Sequence, residues 1–112
     1  MTEFYLPWPD KKLNPNARLH WAQVAKEKKS YRQVCWAETK RMMPIEIEGE
    51  KPQVHFEFFP PNKARRDSDN VLASMKAGID GISDALGIDD SKFVISFEMA
   101  DEPFNRVKVT IK

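Results

Sequence analysis

The chain is poor in cysteine, glycine and histidine, and each shortage excludes something. Cys35 is the one cysteine in 112 residues, which rules out an internal disulfide and any multi-cysteine zinc cluster. Its expected role is that of a small buried hydrophobe in a reducing compartment. Four glycines leave no Gly-rich phosphate loop, which argues against a nucleoside-triphosphate enzyme. His20 and His55 are too few and too far apart for zinc. The net charge of +1 provides no global attraction to nucleic acid. No apolar run approaches a membrane span, and the first residues lack a basic-then-apolar signal pattern. With 41% apolar and 31% charged residues, the composition is that of a cytoplasmic globular protein, a single domain over 1–112 with no membrane association.

What charge there is sits unevenly. Lys26, Lys28, Lys29 and Arg32 cluster in one segment, Lys40 and Arg41 follow, and Lys63, Arg65 and Arg66 form a second group. Acids gather elsewhere, at Glu46, Glu48 and Glu50 and at Asp101-Glu102. Such separation permits a positive face on a near-neutral molecule.

Periodicity predicts an α+β fold, a mixed four-stranded sheet packed with two main helices in one small domain. Thr2, Phe4 and Leu6 alternate with polar neighbours until Pro7, predicting a strand. Residues 17–43 contain neither glycine nor proline and predict a long helix stopped by Pro44, with a fray or bend near Lys28. Val54, Phe56 and Phe58 mark a second strand closed by Pro60-Pro61, and residues 70–86 a second helix stopped by Gly87. The strands around 93–99 and 107–111 are expected to pair as an antiparallel hairpin across Asp101-Glu102-Pro103. Trp21 and Trp36 are expected in the core, and Trp8, flanked by prolines, at the surface.

The most informative stretch is Arg65-Arg66-Asp67-Ser68-Asp69-Asn70, followed by the second helix and then Asp89-Asp90. Hard cations such as Mg²⁺ take oxygen ligands from one or two carboxylates and retain waters. Arginines meet phosphate through charge-assisted hydrogen bonds. Each piece alone has an ordinary explanation: Asp67 or Asp69 as a helix N-cap, Lys76 and Asp80 as an i,i+4 pair, Asp89-Asp90 as turn chemistry. Only the conjunction points to metal-assisted chemistry on a phosphodiester. At ~100° per residue, Asp69, Lys76 and Asp80 share an arc beside the apolar stripe of Leu72, Met75, Ile79, Ile82 and Leu86. Whether Asp90 comes near Asp67 and Asp69 depends on the fold.

These residues, with Met75-Lys76-Ala77-Gly78-Ile79-Asp80-Gly81-Ile82 and Ile88-Asp89-Asp90-Ser91-Lys92, resemble the signature of RusA-type Holliday junction resolvases. That family has an R-D-x-D-N start to a helix, an L-D-G-L segment within it and a D-D-S turn after it. Leu6-Pro7-Trp8-Pro9 and the segment Asn14-Pro15-Asn16-Ala17-Arg18-Leu19-His20-Trp21 look like phage-borne members. The resemblance covers nearly the whole chain. It implies a homodimeric, Mg²⁺-dependent endonuclease, with Mn²⁺ as a substitute, that cuts four-way DNA junctions by paired nicks. By the same resemblance Asp67, Asp69 and Asp90 are the metal-binding, catalytic acids. The family's helix lysine falls here on Ala73, so Lys76, nearly a turn further on, is the candidate for its role. Lys26, Lys28, Lys29, Arg32, Lys63, Arg65 and Arg66 are candidate DNA contacts. A nuclease for flaps or other branched DNA, and a non-catalytic nucleic-acid-binding module, are the alternatives.

Overall fold

A computed structural model describes residues 1–112. Strand β1 (Thr2–Pro7) leads through a short 3₁₀ turn (Lys11–Leu13) to the long helix α1 (Trp21–Arg41). Strand β2 (Gln53–Phe59) is followed by two consecutive helices, α2 (Ser68–Ser74) and α3 (Lys76–Leu86). A second 3₁₀ turn (Asp90–Lys92) enters β3 (Val94–Met99), and β4 (Arg106–Ile111) completes the sheet. The expected α+β class, a mixed four-stranded sheet with helices, is what the structure shows.

The strand order is β1-β4-β2-β3. Strands β2 and β3 are parallel and joined by the α2–α3 crossover, as a parallel neighbour requires. Strand β4 runs antiparallel to β1 on one side and to β2 on the other. The expected β3–β4 hairpin is therefore absent: the connection passes over the end of β2 instead. Pro60 ends β2 without an N–H to donate, and its carbonyl accepts from Phe104 N at 3.0 Å and Asn105 N at 3.1 Å. Asn105 takes the left-handed conformation (φ 55°) that turns the chain into β4.

One sheet face carries the core. Phe4 and Leu6, Val54, Phe56 and Phe58, and Val107, Val109 and Ile111 pack with Met75, Ile79 and Ile82 from the helical layer. The opposite face has no helix upon it and is mixed: Lys108 pairs with Glu3 at 3.2 Å and His55 is hydrogen-bonded to Ser96 at 2.6 Å, while Tyr5 and Phe59 meet Phe104 edge-on at one end.

Helix α1 begins later than predicted, because His20 caps it: its Nδ1 accepts from Ala22 N at 3.2 Å. It runs unbroken past Lys28, and the stripe of Tyr31, Cys35 and Thr39 is its buried face. Its two tryptophans overturn the expectation of burial, with Trp21 76% and Trp36 43% exposed. A single stripe spaced i,i+4 covers α3, and neither tryptophan lies on it. Trp8, expected at the surface, is half-buried edge-on against Phe58.

The predicted second helix is two helices. The Ser74 hydroxyl bonds back to the Asn70 carbonyl at 2.8 Å, and Met75 (φ −83°, ψ −6°) closes a tighter turn onto Leu72. A hydroxyl bonded to the i−4 carbonyl bends helices, and here it ends one. The buried Met75 side chain holds the join against the core.

Candidate active site

Asp67 stands at the end of the 60–67 loop in extended conformation, and its Oδ1 accepts from Asp69 N at 2.9 Å, capping α2. The loop before it is organised by Arg66. That guanidinium donates to the carbonyls of Asn62 and Ala64 at 3.0 and 2.9 Å and to Asn62 Oδ1 at 3.0 Å. It also lies 5.7 Å from the centre of the Trp8 ring, a cation–π contact. Arg65 is left exposed, and it lines a polar cleft with Asp67, Asn70, Lys11 and Asn14.

Two residues later, the surface faces a second cleft. Asp69 lines it together with Lys76, Lys28, Lys12 and Asn14, over an apolar floor of Leu13, Leu72 and Ile79. The expected sharing of one face by Asp69 and Lys76 thus survives the helix break. The Lys76 ammonium donates to Asp80 at 3.0 Å and also to Asp90. These bonds, that to Asp90 first, hold its pKa above the ordinary lysine value.

Asp90 reaches Lys76 because its neighbour does something else. Asp89 Oδ1 accepts from Ser91 N at 2.9 Å, capping the 3₁₀ turn. That backbone bond is the main reason its carboxyl sits below the usual carboxylate range. The cap sets the turn so that the second acid of the pair points back to the helix. Sequence patterning alone could not show which helix end this turn would meet.

Asp67, Asp69 and Asp90 are not drawn into one cluster. No group of three or more His, Cys, Asp or Glu side chains lies close enough to hold a metal ion. Asp67 faces the first cleft, Asp69 the second, and Asp90 is reached through Lys76. The donors fit a hard cation held by one or two carboxylates and waters, and they do not fit a closed three-carboxylate cage.

The basic candidates divide by position. Lys28 borders the Asp69 cleft, and Lys29 and Arg32 continue along α1. Arg32 is committed to Asp84 in a bidentate pair at 2.6 and 2.9 Å, which lowers the Asp84 pKa. Lys26 and Lys63 are exposed. Sequence reasoning missed Gly78 and Gly81, which let α1 approach α3 and so close the seam beside Lys76. Their spacing of three within a helix was the available signal.

The chain is similar to an uncharacterized protein of Xylella fastidiosa strain Temecula1, 38% identical over 115 aligned positions that cover 99% of this chain and 74% of that protein. It belongs to that protein's family. No family model matches the chain. No helix is long and apolar enough to cross a membrane.

Proposed function

We propose that the protein is a RusA-type, Mg²⁺-dependent structure-specific endonuclease that resolves four-way DNA junctions by paired nicks. The observation that supports this best is the cleft shared by Asp69 and Lys76, with Asp80 and Asp90 bound to the same ammonium. Acids from α3 and from the turn after it thus meet at one lysine, which shares its cleft with Asp69 of α2. Lysines of α1 border the same place.

One or two of the carboxylates of Asp67, Asp69 and Asp90, completed by waters, would hold the cation, which when bound lowers the pKa of an attacking water and stabilises the leaving oxygen. Lys76 neutralises charge that builds on the phosphoryl oxygens. Its two carboxylate partners keep it protonated, so it enters the reaction as a cation and not as a base. Arg65 and Lys28, both exposed, meet the flanking phosphates. Two copies related by a two-fold axis would set two sites on opposing strands of the near-symmetric junction. The lone buried thiol of Cys35 supports a reducing compartment, the cytoplasm.

A second reading, a non-catalytic nucleic-acid-binding module, draws support from the capping role of Asp67 and from the neutralisation of Asp90 by Lys76. The deciding experiment offers a synthetic immobile four-way junction, a linear duplex and a flap, with Mg²⁺, with Mn²⁺ and with EDTA. Paired nicks confined to the junction, lost with EDTA and in Asp69→Asn, support the resolvase. Cutting of flaps alone moves the assignment to a flap nuclease. Binding with no cutting in either metal leaves the module.

A further inference from the structure

Three clefts adjoin along the seam between α1 and the α2–α3 pair. Lys28 and Lys76 line both the Asp69 cleft and the next one, which also holds Asp80. Lys29 and Arg32 line both that second cleft and a third, which ends at Trp36. A continuous track therefore leads from Asp69 to the Trp36 indole.

The charges along the track favour an anion. Asp80 and Asp84 are answered by Lys76 and Arg32. Lys28 and Lys29 have no acidic partner and remain exposed on the opposite wall. Trp36, 43% exposed, is the aromatic plane at the far end, bordered by Lys29 and Arg32. An exposed indole among unpaired cations suits a ligand that is both anionic and planar. Nucleic-acid strands have that combination, because every base offers a π-face to an aromatic side chain.

We propose that this seam is a strand channel and that Trp36 is a stacking platform for an unpaired base. The inference rests on the reading of the Asp69 cleft as a nucleic-acid site. It goes further by naming the substrate feature: a strand with at least one unstacked base near the branch. Eight helical residues separate Lys28 from Trp36, about 12 Å along α1 at the helical rise. At 3.4 Å per nucleotide along a duplex strand, that places the unpaired base roughly three to four steps from the Asp69 cleft.

The test is fluorescence anisotropy in EDTA, so that it does not depend on cutting, with labelled oligothymidylate and a labelled blunt duplex. Trp36→Ala should weaken oligothymidylate binding about 5- to 150-fold, the range for losing one stacked base. It should weaken duplex binding less, and Trp36→Phe should restore most of the loss. Trp21→Ala, which removes a still more exposed indole that lines none of the three clefts, should bind as wild type. Should Trp36→Ala fail to fold, a protein carrying both Trp8→Phe and Trp21→Phe, whose one indole is Trp36, gives the answer: oligothymidylate must quench its emission. Unchanged binding by Trp36→Ala, an equal loss in Trp21→Ala, or an absence of quenching overturns the proposal. So does a Trp36→Ala protein that loses self-association in sedimentation while binding oligothymidylate normally, since Trp36 would then serve a protein contact. Trp36-dependent binding without junction cutting removes the nuclease assignment and keeps the channel. Cutting that ignores Trp36 does the reverse.

Discussion

A Cβ placed on Gly81 would stand 2.3 Å from the main-chain oxygen of Arg32. No side-chain adjustment relieves a clash with backbone, so α1 and α3 lie at a separation that only glycine permits. Gly78 makes the same approach one turn earlier, where a Cβ would meet Tyr31 at 2.9 Å and Cys35 Sγ at 3.2 Å. This contact sets the width of the seam that Lys28, Lys29 and Arg32 share with Lys76.

Gly81→Ala is accordingly expected to destabilise the fold by about 1–3 kcal/mol or more, as overpacking does. Urea titration followed by circular dichroism measures it, with Gly49→Ala as the control. Gly49 has nothing within 4 Å of a new Cβ, so that variant should match wild type.

Lys76 separates a structural from a chemical role. Its side chain is 64% exposed, and exposed ion pairs are worth at most ~1 kcal/mol. Lys76→Met should therefore unfold within about 1 kcal/mol of wild type. Under the proposed function, its junction cleavage in Mg²⁺ should fall by roughly 10²-fold or more, with junction binding retained. Full cleavage by this variant would remove Lys76 from the mechanism.

The Tyr31 hydroxyl donates to the Pro7 carbonyl at 2.6 Å and ties α1 to the end of β1. Tyr31→Phe leaves that carbonyl without the bond while preserving the ring against Gly78. A loss of about 1 kcal/mol is expected, read from the shift of the urea midpoint at constant slope. An unchanged midpoint would show that water replaces the hydroxyl at no cost.

Burial pushes the Cys35 thiol up to about 12 from its ordinary 9.0. An acid raised on folding loses its proton first in the unfolded chain, so the native state holds the extra proton between those values. Stability must then fall as pH rises above about 9, by ~1.4 kcal/mol per unit from this thiol alone. Burial of Tyr31, whose pKa is also raised, adds to the slope at higher pH. Urea titrations at pH 8, 9 and 10 test this, and Cys35→Ala should flatten the slope. The native thiol should also resist Ellman's reagent at pH 8.

The elements themselves were readable from alternation, helical spacing and the placement of proline. Their neighbours were not. Val107, Val109 and Ile111 are fully buried because β4 has a strand on either side, whereas Val94 and Ile95 are 51% and 39% exposed on the edge strand β3. Alternating β-branched residues look alike in both settings, so a short connector suggested a hairpin that β2 in fact interrupts. The break at Met75 was hidden for a similar reason: Ser74 and Met75 are ordinary helix residues, and a local hydroxyl bond ends the helix. At the site, the capping by Asp67 and the i,i+4 pairing of Lys76 with Asp80 were foreseeable from spacing. The meeting of Asp90 with Lys76 required the crossover geometry, and the exposure of Trp36 required knowing which stripe of α1 faces α3.

The sheet order has a consequence for how the molecule is made. Strand β4 is the last of the four to leave a ribosome, yet it alone bridges β1 to the β2–β3 pair. Until it emerges, β1 has no partner, and Phe4 and Leu6 have no complete layer to join. Contacts this distant in sequence fold slowly. The nascent protein would therefore carry the aromatic edge of β2 uncovered from the emergence of that strand until the emergence of β4, so chaperone engagement should be concentrated in that interval and end abruptly with β4.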